Sequence, residues 1–180
     1  MNLQLVPTEI LLSTDHWISV EELAEQPISP EIGAALQNDG LLTTALQNAY
    51  GLPSSVDCRN QSNWVDEESN TGLRRDVLIK TGETVRVTAA TLMPHQIISH
   101  YPWLTTMGNN PLGEMLEKHD QYRRGDFEYR QLDAELIFPS PPSSALLLWA
   151  RRYRFFLANS FLLVTEVFLP GVLECLGKAL

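Results

Sequence analysis

Between Phe155 and Leu173 the chain carries a single charge, Glu166, in a run nearly long enough to span a bilayer. Ala158-Asn159-Ser160 breaks it with turn residues and Pro170-Gly171 ends it, while its β-branched and aromatic content suits strands. The segment therefore reads as the end of a hairpin: a strand over 145–157, a turn at Ala158-Asn159-Ser160, and a second strand over 161–169. A second hairpin runs from Leu73 to Lys80, turns at Thr81-Gly82-Glu83 and returns from Thr84 to Met93, where Pro94 stops it. Residues 126–138 add a fifth strand. Residues 54–71 are polar and read as loop with one short strand.

The first part of the chain has helical start signals instead. Ser19-Val20-Glu21-Glu22 is a capping box, Ser29-Pro30-Glu31 sets an N-cap before a first-turn proline, and Asp39 precedes a helical segment from Gly40 that Gly51 closes. Further helical stretches are expected over 96–103 and from Asn110-Pro111 onward. The sum is an α+β fold: a single domain of 180 residues, helical and acidic over 1–53, with an antiparallel sheet of about six strands built mainly from 73–170 and helices packed on one face. Pro139-Ser140-Pro141-Pro142-Ser143-Ser144 reads as a surface loop.

The net charge of −9 opposes nucleic-acid binding, which needs a basic stripe to displace phosphate counterions. Its distribution is uneven. Residues 1–70 hold 11 acids and one base, Arg59, whereas 71–180 hold 11 acids and 12 bases, so a site for an anionic small molecule is expected in the second part. Cys58 and Cys175 are expected as reduced thiols. The start Met1–Pro7 lacks the basic and apolar regions of a secretory signal, which predicts a cytoplasmic location. His16, His95, His100 and His119 lack i, i+4 ligand spacing, and no phosphate loop or nucleophile elbow is present. Carboxylate, arginine and backbone groups are left to carry any chemistry, without metal.

Three positions stand out. Glu166 shares one strand face with Leu162, Val164 and Phe168, and the other face is apolar too, so its carboxylate is expected to be buried. An unpaired buried Glu is driven towards its protonated form and could accept a proton or hold a hydroxyl; the alternative is an ion pair with Arg152 or Arg154 of the neighbouring strand. Arg75 alternates with Val77 and Ile79 and should point inward, whereas Arg74 falls on the face of Asp76 and Lys80. An inward arginine invites a carboxylate, from a ligand or from Glu166 itself. If Asn110 caps and Pro111 is the first helical residue, the N–H of Leu112 is an unfilled helix donor, and Leu42 has a similar place after Asp39.

Leu73-Arg74-Arg75-Asp76-Val77, Thr91-Leu92-Met93-Pro94, Gly108-Asn109-Asn110-Pro111-Leu112-Gly113, Trp149-Ala150-Arg151-Arg152 and Leu163–Pro170 together resemble the chorismate lyase family, in order and spacing. Gly40–Leu46 is a weaker match. The resemblance implies a cofactor-independent lyase that splits chorismate into 4-hydroxybenzoate and pyruvate, on the way to ubiquinone or a related quinone, in a site enclosed beneath helical flaps. It implies that Arg75 and the N–H groups of Leu112 and Leu42 hold the ring carboxylate, that Glu166 faces the ring hydroxyl, and that Glu166 and Arg75 are catalytic. The expected partners are this substrate and product alone, for a monomer with no nucleic acid and no stable membrane insertion. The rival reading is a non-catalytic sensor, since ligand-sensing domains of some bacterial transcription regulators share the fold.

Overall fold

A computed structural model describes residues 3–66, 68–119, 122–140 and 147–180. Seven strands form one antiparallel sheet: β1 (Ser54–Val65), β2 (Thr71–Thr81), β3 (Thr84–Pro94), β4 (Arg123–Arg124), β5 (Glu128–Asp133), β6 (Leu147–Leu157) and β7 (Ser160–Phe168). Their order is β1-β2-β3-β7-β6-β4, with β5 pairing beyond β4 along the same edge of β6. Both expected hairpins are present. β3 joins them by pairing with β7, which sets Ala89 beside Glu166 and Thr91 beside Val164.

Three strand expectations change. Residues 54–65 form one long strand rather than loop with a short strand, paired with β2 along their length and bulged between Cys58 and Asn60. On a sheet edge a polar segment needs only a backbone partner, so Val56 and Trp64 supply the buried anchors and the rest faces water or the rim. The fifth strand stops at Asp133, because Ala134–Leu136 closes into a 3-10 turn whose Ala134 carbonyl accepts from both Ile137 and Phe138. The β6–β7 turn has two residues, Ala158 and Asn159, with Ala158 at φ 48° and Leu157 paired with Ser160. The start of the expected strand at 145–146 and the loop residues 141–144 lie outside the described residues.

The two faces of the sheet are covered differently. The inner face bears Arg75, Val77, Ile79, Ala89, Thr91, Tyr153, Val164 and Glu166, as strand alternation requires. Above it lie α3 (Pro30–Gln37), α4 (Leu42–Tyr50) and α7 (Val172–Ala179) at one end, and α5 (His95–His100) and α6 (Leu112–His119) at the other. The capping boxes and Pro-first starts of α2 (Val20–Ala24) and α3 form as the sequence predicts, and Gly51 ends α4 in the left-handed region. α7 was not anticipated: the apolar run continues past Pro170-Gly171 as a helix.

On the outer face the N-terminal segment and the short α1 (Thr8–Leu12) lie across the strands. Arg74 binds Asp76 at 2.7 Å and donates to the carbonyl of Val6 and the hydroxyl of Thr8. Arg152 donates to the carbonyls of Leu11 and Ser13. Arg74 is thus on the face that alternation gives it, yet it is buried, because a strap of main-chain acceptors covers it.

Gly177 of α7 is a point of close approach. A Cβ there would sit 2.0 Å from the carbonyl oxygen of Glu31, so α7 packs directly on the α3 backbone. Gly177→Ala is expected to force the helices apart and to lower unfolding free energy by roughly 1–3 kcal/mol, measured by denaturant titration.

Candidate active site

A cavity of about 80 Å³ lies between the inner face and the starts of α4 and α6. Its floor is apolar, from Val77, Ile79, Ala89 and Val164, and its polar groups are few. Arg75 enters from β2 and is 2% exposed. Its Nη2 donates to the carbonyls of Gly108 (2.7 Å) and Asn110 (3.0 Å), which anchors the loop that leads into α6. Its Nε is buried without a hydrogen-bond partner. Burial pushes the guanidinium below its ordinary pKa, an effect that the nearby Cys58 sulfur partly opposes. A buried cation with an unfilled donor at a cavity is a receptor for an anion.

Both helix starts behave as backbone donors. α4 begins at Leu42 with Leu41 in the N-cap position and no side-chain cap. Asp39 does not cap it; the Asp39 carbonyl instead accepts from Arg124. In α6 the carbonyl of Pro111 accepts the first helical bond, from Met115, so Pro111 rather than Asn110 is the N-cap residue. The Asn110 side chain turns back to the Met107 carbonyl. Leu112 and Leu42 are therefore each the first helical residue, with N–H groups that have no intrahelical acceptor. The two starts touch: a Cβ on Gly113 would lie 2.6 Å from Leu41 Cδ2, and Thr43 Oγ1 donates to Glu114 Oε1 at 3.5 Å.

Glu166 approaches from β7 and is buried, as expected, but it is not unpaired. Arg151 Nε donates to its Oε2 at 2.6 Å and the Tyr153 hydroxyl to its Oε1 at 3.1 Å. Arg151 also donates to the carbonyls of Leu36 and Asn38, which ties the end of α3 to the site. The partner is neither Arg152 nor Arg154, which both reach Glu128, and Arg75 does not contact Glu166 through any described ion pair. Turn length explains the error. A three-residue turn would set Arg152 across from Glu166; the two-residue turn sets Arg151 there and moves Arg152 to the outer face. Sequence reasoning also missed Tyr153, which alternation places on the same face as Arg151. Burial, and then the Glu166 charge, push its phenol well above the usual value, so the hydroxyl stays a donor.

Arg75 and Glu166 thus face one cavity from strands two apart. Strand spacing sets their backbones about 10 Å apart across the sheet and about 7 Å along it, with the cavity between them.

The family model of chorismate lyase matches residues 11–175. The chain belongs to the chorismate lyase family. A protein named probable chorismate pyruvate-lyase from Nitrosospira multiformis is 33% identical over 167 residues, covering 84% of this chain and 93% of the relative. Another of that name, from Ralstonia nicotianae, is 34% identical over 110 residues, covering 56% of each chain, so the match spans only about half of that relative's length. Among solved structures, PhnF from Mycobacterium smegmatis aligns over 91% of this chain and 92% of its own with a TM-score of 0.54 at 12% identity. Its effector domain alone aligns over 74% of this chain and 92% of its own with a TM-score of 0.53 at 13% identity. Those two likenesses concern the fold. Among the described residues no helix is long and apolar enough to cross a membrane. Cys58 and Cys175 are both free thiols, on β1 and α7.

Proposed function

We propose that this chain converts chorismate to 4-hydroxybenzoate and pyruvate, supplying the aromatic acid for a quinone such as ubiquinone. The observation that carries the reading is the buried Arg75, with its unfilled Nε, set beside two uncapped helix starts and opposite the Glu166–Tyr153–Arg151 group. That arrangement fits a ring with a carboxylate at one end and a hydroxyl at the other. Arg75 and the N–H groups of Leu112 and Leu42 hold the carboxylate. Glu166 accepts the hydroxyl hydrogen bond; each of its oxygens has one protein donor, which leaves lone pairs for the ligand.

Little else is asked of the side chains. The C4 proton leaves and its electron pair enters the ring, the ether C–O bond breaks with its pair on the departing enolpyruvate oxygen, and the enolpyruvate takes up one proton at its methylene carbon, balancing the one released, to become pyruvate. Gain of aromaticity drives this step, so the protein contributes orientation and exclusion of water. A Glu166 held by Arg151 is suited to fix the hydroxyl, and with it the direction of the C4–H bond.

The cavity of about 80 Å³ is roughly half the ~150 Å³ of an apolar cavity that holds benzene. Substrate entry therefore requires the starts of α4 and α6 to part at the Leu41–Gly113 contact.

The test is direct. Purified chain incubated with chorismate alone is expected to yield 4-hydroxybenzoate and pyruvate in equal amounts, followed by ultraviolet absorbance and a coupled pyruvate assay. Ligand binding without product would instead favour the sensor reading.

A further inference from the structure

Among the described residues, Arg124 is the one arginine that borders both the cavity and the wide groove outside it. It lies on β4 opposite Phe155, so alternation turns it to the inner face, where its guanidinium is 5.1 Å from the Phe127 ring and 5.7 Å from that of Tyr153. Its neighbour Arg123, opposite Phe156, stacks on that ring at 4.2 Å.

The three arginines around the cavity differ in what engages them. Arg151 is committed to Glu166 and two carbonyls, and Arg75 to the loop before α6. Arg124 gives one N–H to the Asp39 carbonyl, while the Asp39 carboxylate stands 4.0 Å away and is 90% exposed. Among the described residues, most of the five guanidinium donors of Arg124 thus have no hydrogen-bond acceptor.

Under the reading proposed above, on which this inference rests, the substrate has two carboxylates and the aromatic product only one. Arg75 and the helix starts take the ring carboxylate at the β2 side. The second carboxylate, on the three-carbon arm, is costly to enclose without a cation. The groove is otherwise lined by the acids Glu21, Glu22, Asp39, Asp126 and Glu128, and among its described lining residues Arg124 is the one cation. We propose that Arg124 forms a second carboxylate subsite, which takes the arm of the substrate and, once the ether bond breaks, the departing pyruvate at the mouth of the groove. The arm's carboxylate replaces the Asp39 carbonyl on Arg124. This releases the turn before α4 and couples recognition of the arm to movement of that helix start.

Such a residue separates substrate from product, which a merely structural residue would not do. In full-length Arg124→Gln, KM for chorismate is expected to rise tenfold or more, the scale of one lost charge-assisted carboxylate contact. Inhibition by 4-hydroxybenzoate, which lacks the arm, is expected to stay at the wild-type value. Arg124→Lys keeps the charge and should restore part of the loss. An unchanged KM in Arg124→Gln overturns the proposal, and so does a 4-hydroxybenzoate inhibition constant that moves in step with KM, the mark of a distorted site. A wild-type chain that forms no product overturns both this inference and the lyase reading. An active wild type with an indifferent Arg124→Gln overturns this inference alone.

Discussion

Arg75→Ala is expected to weaken 4-hydroxybenzoate binding about 100-fold, and to lower kcat/KM for chorismate by at least as much, because the lost contact is charge-assisted and fully desolvated. The argument rests on burial and on the unfilled Nε. An exposed arginine would lose most of this value to solvent, but at 2% exposure the charge has no water to fall back on and a bound carboxylate is its compensation. The substitution also removes the donor that serves the carbonyls of Gly108 and Asn110, so the start of α6 loosens and stability should drop by about 1–3 kcal/mol. Arg75→Lys separates the two effects: it keeps a charge in the cavity but cannot bridge the two carbonyls and a ligand in one plane, and so should fall between wild type and alanine. Isothermal titration with 4-hydroxybenzoate, alongside thermal unfolding, checks both. Wild-type affinity in Arg75→Ala would mean that the helix starts alone hold the carboxylate.

The inward direction of Arg75 was legible because a strand's alternation is fixed once its apolar face is assigned, and Val77 and Ile79 assign it. The burial of Glu166 was legible for the same reason. Its partner was not, since cross-strand pairing depends on the length of the turn, and one residue more or less at 158–160 exchanges Arg151 for Arg152. β1 was hidden because an edge strand with one buried anchor near each end has little apolar pattern to show, and the covering of Arg74 because the main-chain acceptors of the N-terminal strap carry no sequence signature. Leu42 and Leu112 illustrate a further limit. As side chains they look like ordinary core; what distinguishes them is an N–H at a helix start, and that depends on where each helix begins to within one residue. At 110–112 the cap moved by that one residue, and the donor at Leu112 survived because Pro111 carries no N–H of its own to take its place.

The acidic balance of the chain also becomes intelligible at the site. The surplus of acids lies in residues 1–70, whereas Arg75, Arg124 and Arg151 all reach the inner face from the second part. Attraction for an anion is therefore local, acting among buried side chains where it is strong, while long-range steering is weak or adverse. Association should be slow for a charged ligand, and affinity should come from slow release through the contact between α4 and α6.

Glu166→Gln is expected to reduce kcat about 100-fold or more, a loss typical of removing one group that holds the reacting part of a substrate, while 4-hydroxybenzoate binding changes far less. The amide has the same shape, so Arg151 Nε still finds an oxygen and the Tyr153 hydroxyl can turn to accept from the new NH2. What disappears is the charge. Arg151 then lies buried at 2% exposure against a neutral partner, so a stability loss of about 1–3 kcal/mol should accompany the kinetic effect, against the 3–5 kcal/mol expected for Glu166→Ala, where the pair is broken outright. Tyr153→Phe is the control, since it leaves the ion pair and removes one donor from Oε1. It should cost about 1 kcal/mol of stability and leave most of the turnover, because the ligand hydroxyl can take the vacated acceptor site. Steady-state kinetics and thermal unfolding on the three variants distinguish an orienting carboxylate from a structural one. If Glu166→Gln turns over chorismate at the wild-type rate while its unfolding temperature falls, the Glu166–Arg151 pair serves the fold and the hydroxyl of the substrate is held elsewhere.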